Sequence, residues 1–81
     1  MTYLLYYGKI VHMSRLEILG NNIKIARESK GWSQALLAEK LDLSTEYICR
    51  VERGQKYMSL RKLFELADFL EIEFSKLTDF K

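Results

Sequence analysis

Residues 33–54 read Ser33-Gln34-Ala35-Leu36-Leu37-Ala38-Glu39-Lys40-Leu41-Asp42-Leu43-Ser44-Thr45-Glu46-Tyr47-Ile48-Cys49-Arg50-Val51-Glu52-Arg53-Gly54, two short helical periods with almost nothing between them. Ser33 can cap a helix from Gln34 to Leu41 whose inward face is Leu37, Ala38 and Leu41. Asp42 and Leu43 form the connection. Ser44 can cap a second helix running to about Arg53, with Ile48 and Val51 inward and Gly54 past its end. Helices joined this tightly must cross at a steep angle. Ala38 is small where they approach, and Leu37, Leu41, Ile48 and Val51 lock the crossing. The outer face of the second helix keeps polar Thr45, Glu46 and Arg50.

Working outward, residues 16–30 place Leu19, Ile23 and Ala26 on one helical face and end at Gly31, a residue suited to the position after a helix. Downstream, Ser59 caps a helix through Leu70 that is expected to bury Leu60, Leu63, Leu66, Ala67 and Leu70, and a short fifth helix from about Glu73 carries Phe74 and Leu77. There is no proline, and the four glycines (Gly8, Gly20, Gly31 and Gly54) are expected near element boundaries. Residues 3–11 are aromatic and β-branched enough for a strand, but the same run suits an extension of the first helix or a segment folded back on the core. Residues 1–15 are therefore an N-terminal extension and 16–81 the domain. Met13, followed by Ser-Arg-Leu, can itself serve as a translation start.

With 81 residues, of which 48% are hydrophobic, one small domain with a thin core is expected. Cys49 is the single cysteine, so no internal disulfide forms, and no Cys/His cluster suggests zinc; no cofactor or metal is expected, and the compartment expected is the cytoplasm. The first thirteen residues make a poor signal peptide and are too short to span a bilayer. Up to residue 62 there are eleven Lys/Arg against six Asp/Glu, a balance of +5; after it there are two against five, or −3. That asymmetry suits a basic body facing nucleic acid with an acidic end turned elsewhere. No nucleophile with a base, paired catalytic acids or phosphate loop is evident, so an enzyme is not expected.

Through "LGNNIKIARESKGWSQALLAEKLDLSTEYICRVERGQ" and "SLRKLFELADFLEI", the chain resembles the XRE or Cro-type helix-turn-helix proteins, which include phage repressors and the controllers of restriction–modification systems. The Ser33-Gln34 opening, the Leu37-Ala38 pair and the Glu52-Arg53-Gly54 close fall at family spacing. The resemblance implies an all-α, five-helix, lambda-repressor-like domain that binds a palindromic double-stranded DNA operator as a homodimer. In such a unit the first helix crosses the DNA backbone and the second presents its N-terminal residues to the major groove.

Thr45, Glu46 and Arg50 then occupy base-reading positions, with Ser44 and Cys49 beside them; arginine can bind guanine O6 and N7, and glutamate can accept from cytosine N4. Gln34 matches a phosphate-gripping position at a helix N-terminus. Ser33 is a cap first and a phosphate contact second; Tyr47 packs or touches a phosphate, and Arg53, Lys56 and Arg61 are candidate backbone clamps. Arg27 and Glu52 match a partly buried ion pair tying the first helix to the third. Glycine often stands in the family where this chain has Asp42 and Glu71, which suggests altered turns, and Met58 replaces a frequent proline, which suggests a looser connection. Trp32 is expected between the first two helices rather than stacked on a ligand.

Phe64, Phe69, Phe74, Leu77 and Phe80 supply more apolar bulk than a thin core needs, which points to dimerisation through the acidic C-terminal part. Related activators present acidic residues to the RNA polymerase sigma subunit at the position of Glu39 and Asp42. A restriction–modification controller is the leading expectation. A small Cro-like repressor and a DNA-binding antitoxin, for which apolar Ile25 and Leu36 leave room, are the alternatives.

Overall fold

Serine opens four of the five helices. In the computed structural model, which describes residues 2–6 and 9–79 with side chains from Met13 onward, these are α1 (Arg15–Ser29), α2 (Gln34–Leu41), α3 (Thr45–Glu52), α4 (Leu60–Leu70) and α5 (Phe74–Leu77). The hydroxyls of Ser14, Ser33, Ser44 and Ser59 each accept a hydrogen bond from the backbone N–H three residues on, satisfying one donor that the helix cannot satisfy itself. At α1 the cap is reciprocal: the Glu17 carboxylate accepts from the Ser14 N–H at 3.1 Å. This capping box starts α1 one residue before the point that the apolar spacing suggests.

Ahead of α1, β1 (Thr2–Tyr6) and β2 (Lys9–Met13) pair antiparallel, from Thr2 opposite Met13 to Tyr6 opposite Lys9. Within the run 3–11, the described residues 3–6 and 9–11 adopt the strand conformation, and the extension precedes an all-α body.

Ile23, Leu37, Leu41, Ile48, Val51, Leu66 and Leu77 are fully buried and come from all five helices. Two expectations, for Leu60 and Gly20, need correction. Leu60 is 59% exposed, because as the first residue of α4 it lies beyond the buried stripe of Leu63, Leu66, Ala67 and Leu70. Leu19 packs half-buried against the core beside Ile23 and Ala26, as its spacing suggests, and its neighbour Ile18, which the sequence did not mark, is buried as well. Gly20 lies inside α1 rather than at its edge: a Cβ there would stand 2.6 Å from the Glu52 carbonyl oxygen and closer still to that of Val51, so only glycine lets α1 touch the end of α3.

Both departures from glycine keep the turn. Asp42 (φ 56°) and Glu71 (φ 54°) end α2 and α4 in the left-handed conformation. The following residues, Leu43 and Ile72, donate back to the carbonyls of Ala38 (2.9 Å) and Ala67 (3.0 Å), the arrangement a glycine would produce. Each costs about 1–2 kcal/mol of backbone strain. Met58, standing where the family often has proline, is buried in the core, where its flexible thioether fills the space. No helix among the described residues is long and apolar enough to cross a membrane.

Candidate nucleic-acid interface

The outer surface of α3 carries the polar side chains singled out in the sequence. Ser44, Thr45, Glu46 and Arg50 are exposed, and Cys49 is half-buried. Ile48 and Val51 anchor the opposite side in the core, so the helix presents one face outward and cannot rotate about its axis without exposing them. Glu46 and Arg50, one turn apart, form an ion pair with Oε1 to Nη2 at 2.7 Å. Beside them an open polar recess of about 240 Å³ is lined by Ser44, Glu46, Tyr47, Arg50 and Lys56. Tyr47 is half-buried, and its hydroxyl donates to the Tyr57 carbonyl at 2.6 Å. Its single proton is thus spent bracing the segment after α3, and a phosphate would have to displace that bond to be its acceptor.

Behind this face lies a buried charged cluster. The Glu52 carboxylate accepts from Arg27 Nε (2.7 Å), Arg27 Nη2 (3.1 Å) and Gln34 Nε2 (2.9 Å), and Arg27 Nη1 donates to the Trp32 carbonyl (2.7 Å). The ion-paired side chains are only 8% and 3% exposed. The hydrogen bond from Arg27 to Glu52 raises the guanidinium pKa further above its ordinary value, against the opposing effect of burial. Gln34, the first residue of α2, is therefore held by one amide hydrogen and, among the described residues, keeps the other free to donate. Ser33, next to it, spends its oxygen on the α2 cap.

Arg53, Lys56 and Arg61 are exposed, as are Glu39 and Asp42 near the end of α2. Lys62, which the sequence did not mark, donates to the Leu41 carbonyl at 2.7 Å and so satisfies an acceptor at the C-terminus of α2 from α4. Trp32 packs half-buried against the core with Lys40 Nζ 4.7 Å from its ring centroid.

The residues named for dimerisation do not form one patch. Leu77 is fully buried and belongs to the domain's own core; the peptide carbonyl of Leu77 and that of Asp79 both accept from Asn22 Nδ2 at 2.9 Å, which pulls the end of α5 onto α1. Phe64 (49% exposed) stacks on half-buried Phe74 with centroids 4.5 Å apart, and Leu60 lies one turn before it on the same face. Phe69 stands about 140° around α4 from Phe64 and faces Lys40 instead, 5.8 Å from its ring. Phe80 lies outside the described residues.

Residues 23–77 match the helix-turn-helix family. The chain is similar to the restriction–modification controller protein C.AhdI from Aeromonas hydrophila, with 39% identity, a TM-score of 0.72 and coverage of 76% of this chain and 94% of that one. It is also similar to SinR, the master regulator for biofilm formation, in a structure with DNA (31% identity, TM-score 0.70, 75% of this chain and 98% of that one), a protein of Bacillus subtilis. A third likeness is to the clp gene regulator ClgR from Corynebacterium glutamicum, at 28% identity and a TM-score of 0.76 over 80% of this chain and 69% of that one. No curated protein matches. With more than half of its length matched by that family, the chain belongs to the helix-turn-helix proteins of the XRE type.

Proposed function

We propose that the chain is a sequence-specific double-stranded-DNA-binding transcriptional regulator, acting as a homodimer on a palindromic operator in the role of a restriction–modification controller. The observation that carries this reading is the outward face of α3, where Ser44, Thr45, Glu46 and Arg50 stand exposed on a helix fixed to the core by Ile48 and Val51. The likeness to C.AhdI supports the controller role, and the structure of SinR with DNA supports the ligand class. Arg50 reads a guanine, Cys49 lies at the edge of the reading face, Gln34 uses its remaining amide hydrogen on a phosphate, and Arg53, Lys56 and Arg61 supply backbone attraction. Two copies meet through Leu60, Phe64 and Phe74, setting the two α3 helices about 34 Å apart. Glu39 and Asp42 remain exposed for a basic sigma-subunit surface.

Footprinting on the DNA upstream of the chain's own gene, together with sedimentation, tests the proposal. Protection of two half-sites one helical turn apart by a dimer is expected. Binding without sequence preference, or a monomer at tens of micromolar that stays monomeric on DNA, would overturn it.

A further inference from the structure

The Glu46–Arg50 pair has a consequence for specificity that neither residue has alone. Glu46 stands in the first turn of α3 and Arg50 in the last, with the acidic partner N-terminal, the favourable order for an i, i+4 pair. Among the described residues, the guanidinium makes one hydrogen bond, from Nη2 to Glu46 Oε1. A bidentate guanine contact needs two neighbouring N–H groups, and a single-point hold on Nη2 leaves such an edge free. That edge borders the open recess beside α3, where a base edge has room to approach.

An exposed arginine without this restraint has many rotamers and meets phosphate oxygens as readily as guanine. A carboxylate among phosphates weakens binding to any DNA, so its presence on this face favours a sequence only where Arg50 is usefully engaged. We infer that Glu46 is a positioning residue that sets base specificity by holding Arg50 toward guanine and away from the phosphates. This rests on the proposed DNA-reading role of α3. The pair is electrically neutral, so the sequence-independent attraction falls to Arg53, Lys56 and Arg61.

The test uses the full chain, Glu46→Gln, Arg50→Ala and the double variant, each selected against a pool of randomised duplexes, followed by titration of the best duplex, its single-base-pair variants and a scrambled duplex at fixed salt. Glu46 is exposed, so its replacement leaves the core intact. Glu46→Gln is expected to lose discrimination at the same base pair as Arg50→Ala, by about tenfold or more. It should also bind the scrambled duplex more tightly than the parent, and the double variant should discriminate no worse than Arg50→Ala. A merely structural role would weaken all duplexes alike and so overturn the inference. Loss at a different base pair, unaffected by Arg50→Ala, would overturn it in favour of direct reading by Glu46. If Arg50→Ala relaxes preference while Glu46→Gln keeps the parent profile, the inference alone fails; if no motif is enriched, or Arg50→Ala changes nothing, the reading role of α3 fails with it.

Discussion

Glu52→Ala should remove a large share of the stability of this chain. The substitution strands a guanidinium that is 8% exposed, leaving Arg27, among the described residues, only the Trp32 carbonyl as acceptor and Gln34 without its Glu52 partner. Breaking a buried pair by deleting one member costs about 3–5 kcal/mol, because the remaining charge is neither solvated nor compensated. A chain of 81 residues has in total roughly 4–12 kcal/mol. In urea, with a slope of about 1 kcal/mol per molar for so small a protein, the midpoint should fall by about 3–5 M or the protein should be unfolded from the outset. The double variant Arg27→Met/Glu52→Leu removes both charges and keeps their volume, and should lie within about 2 kcal/mol of the parent. A loss below about 1 kcal/mol for Glu52→Ala, or a double variant as unstable as the single one, would refute the reasoning.

Gly20→Ala should lower stability by about 1–3 kcal/mol, since its methyl meets the Val51 and Glu52 carbonyls and forces α1 away from α3; an unchanged thermal midpoint would contradict that contact. Glu71, exposed and hydrogen-bonded by Lys30, titrates below the ordinary glutamate range. Its contribution to stability is thus present above the unfolded pKa and is lost as pH falls through the lower folded value. Lys30→Met should move the Glu71 titration, followed by NMR, back up toward that range.

The helices were readable because α2, α3 and α4 each begin with a serine followed by apolar residues at helical spacing, both purely local signals. The outward face of α3 follows from the same spacing. What local pattern could not reveal were contacts between distant positions. The excess of apolar residues near the C-terminus says nothing about which turn inward, and Leu77 does so because Asn22, 55 positions earlier, ties α5 to α1. The hold of Glu52 on Gln34 joins positions 18 apart and becomes visible only once α2 and α3 have crossed. Gly20 looked like punctuation because a glycine at a helix edge and one at a helix–helix contact are identical in sequence. Asp42 and Glu71 show the converse: the capping bonds held the left-handed turn without the residue that adopts it most easily.

The close approach at Gly20 also determines where a misfit would be absorbed. Backbone meets backbone there, and at Gly54 a Cβ would similarly strike Glu17, so no deformable layer of side chains separates the start of α1 from the end of α3. A rotamer change cannot let α3 pivot. In the proposed dimer each reading helix is therefore fixed to its own protomer, and a mismatch in separation or pitch falls on the contact between protomers or on the duplex. The base pairs between the half-sites, out of reach of α3, would be selected for how cheaply they bend and twist.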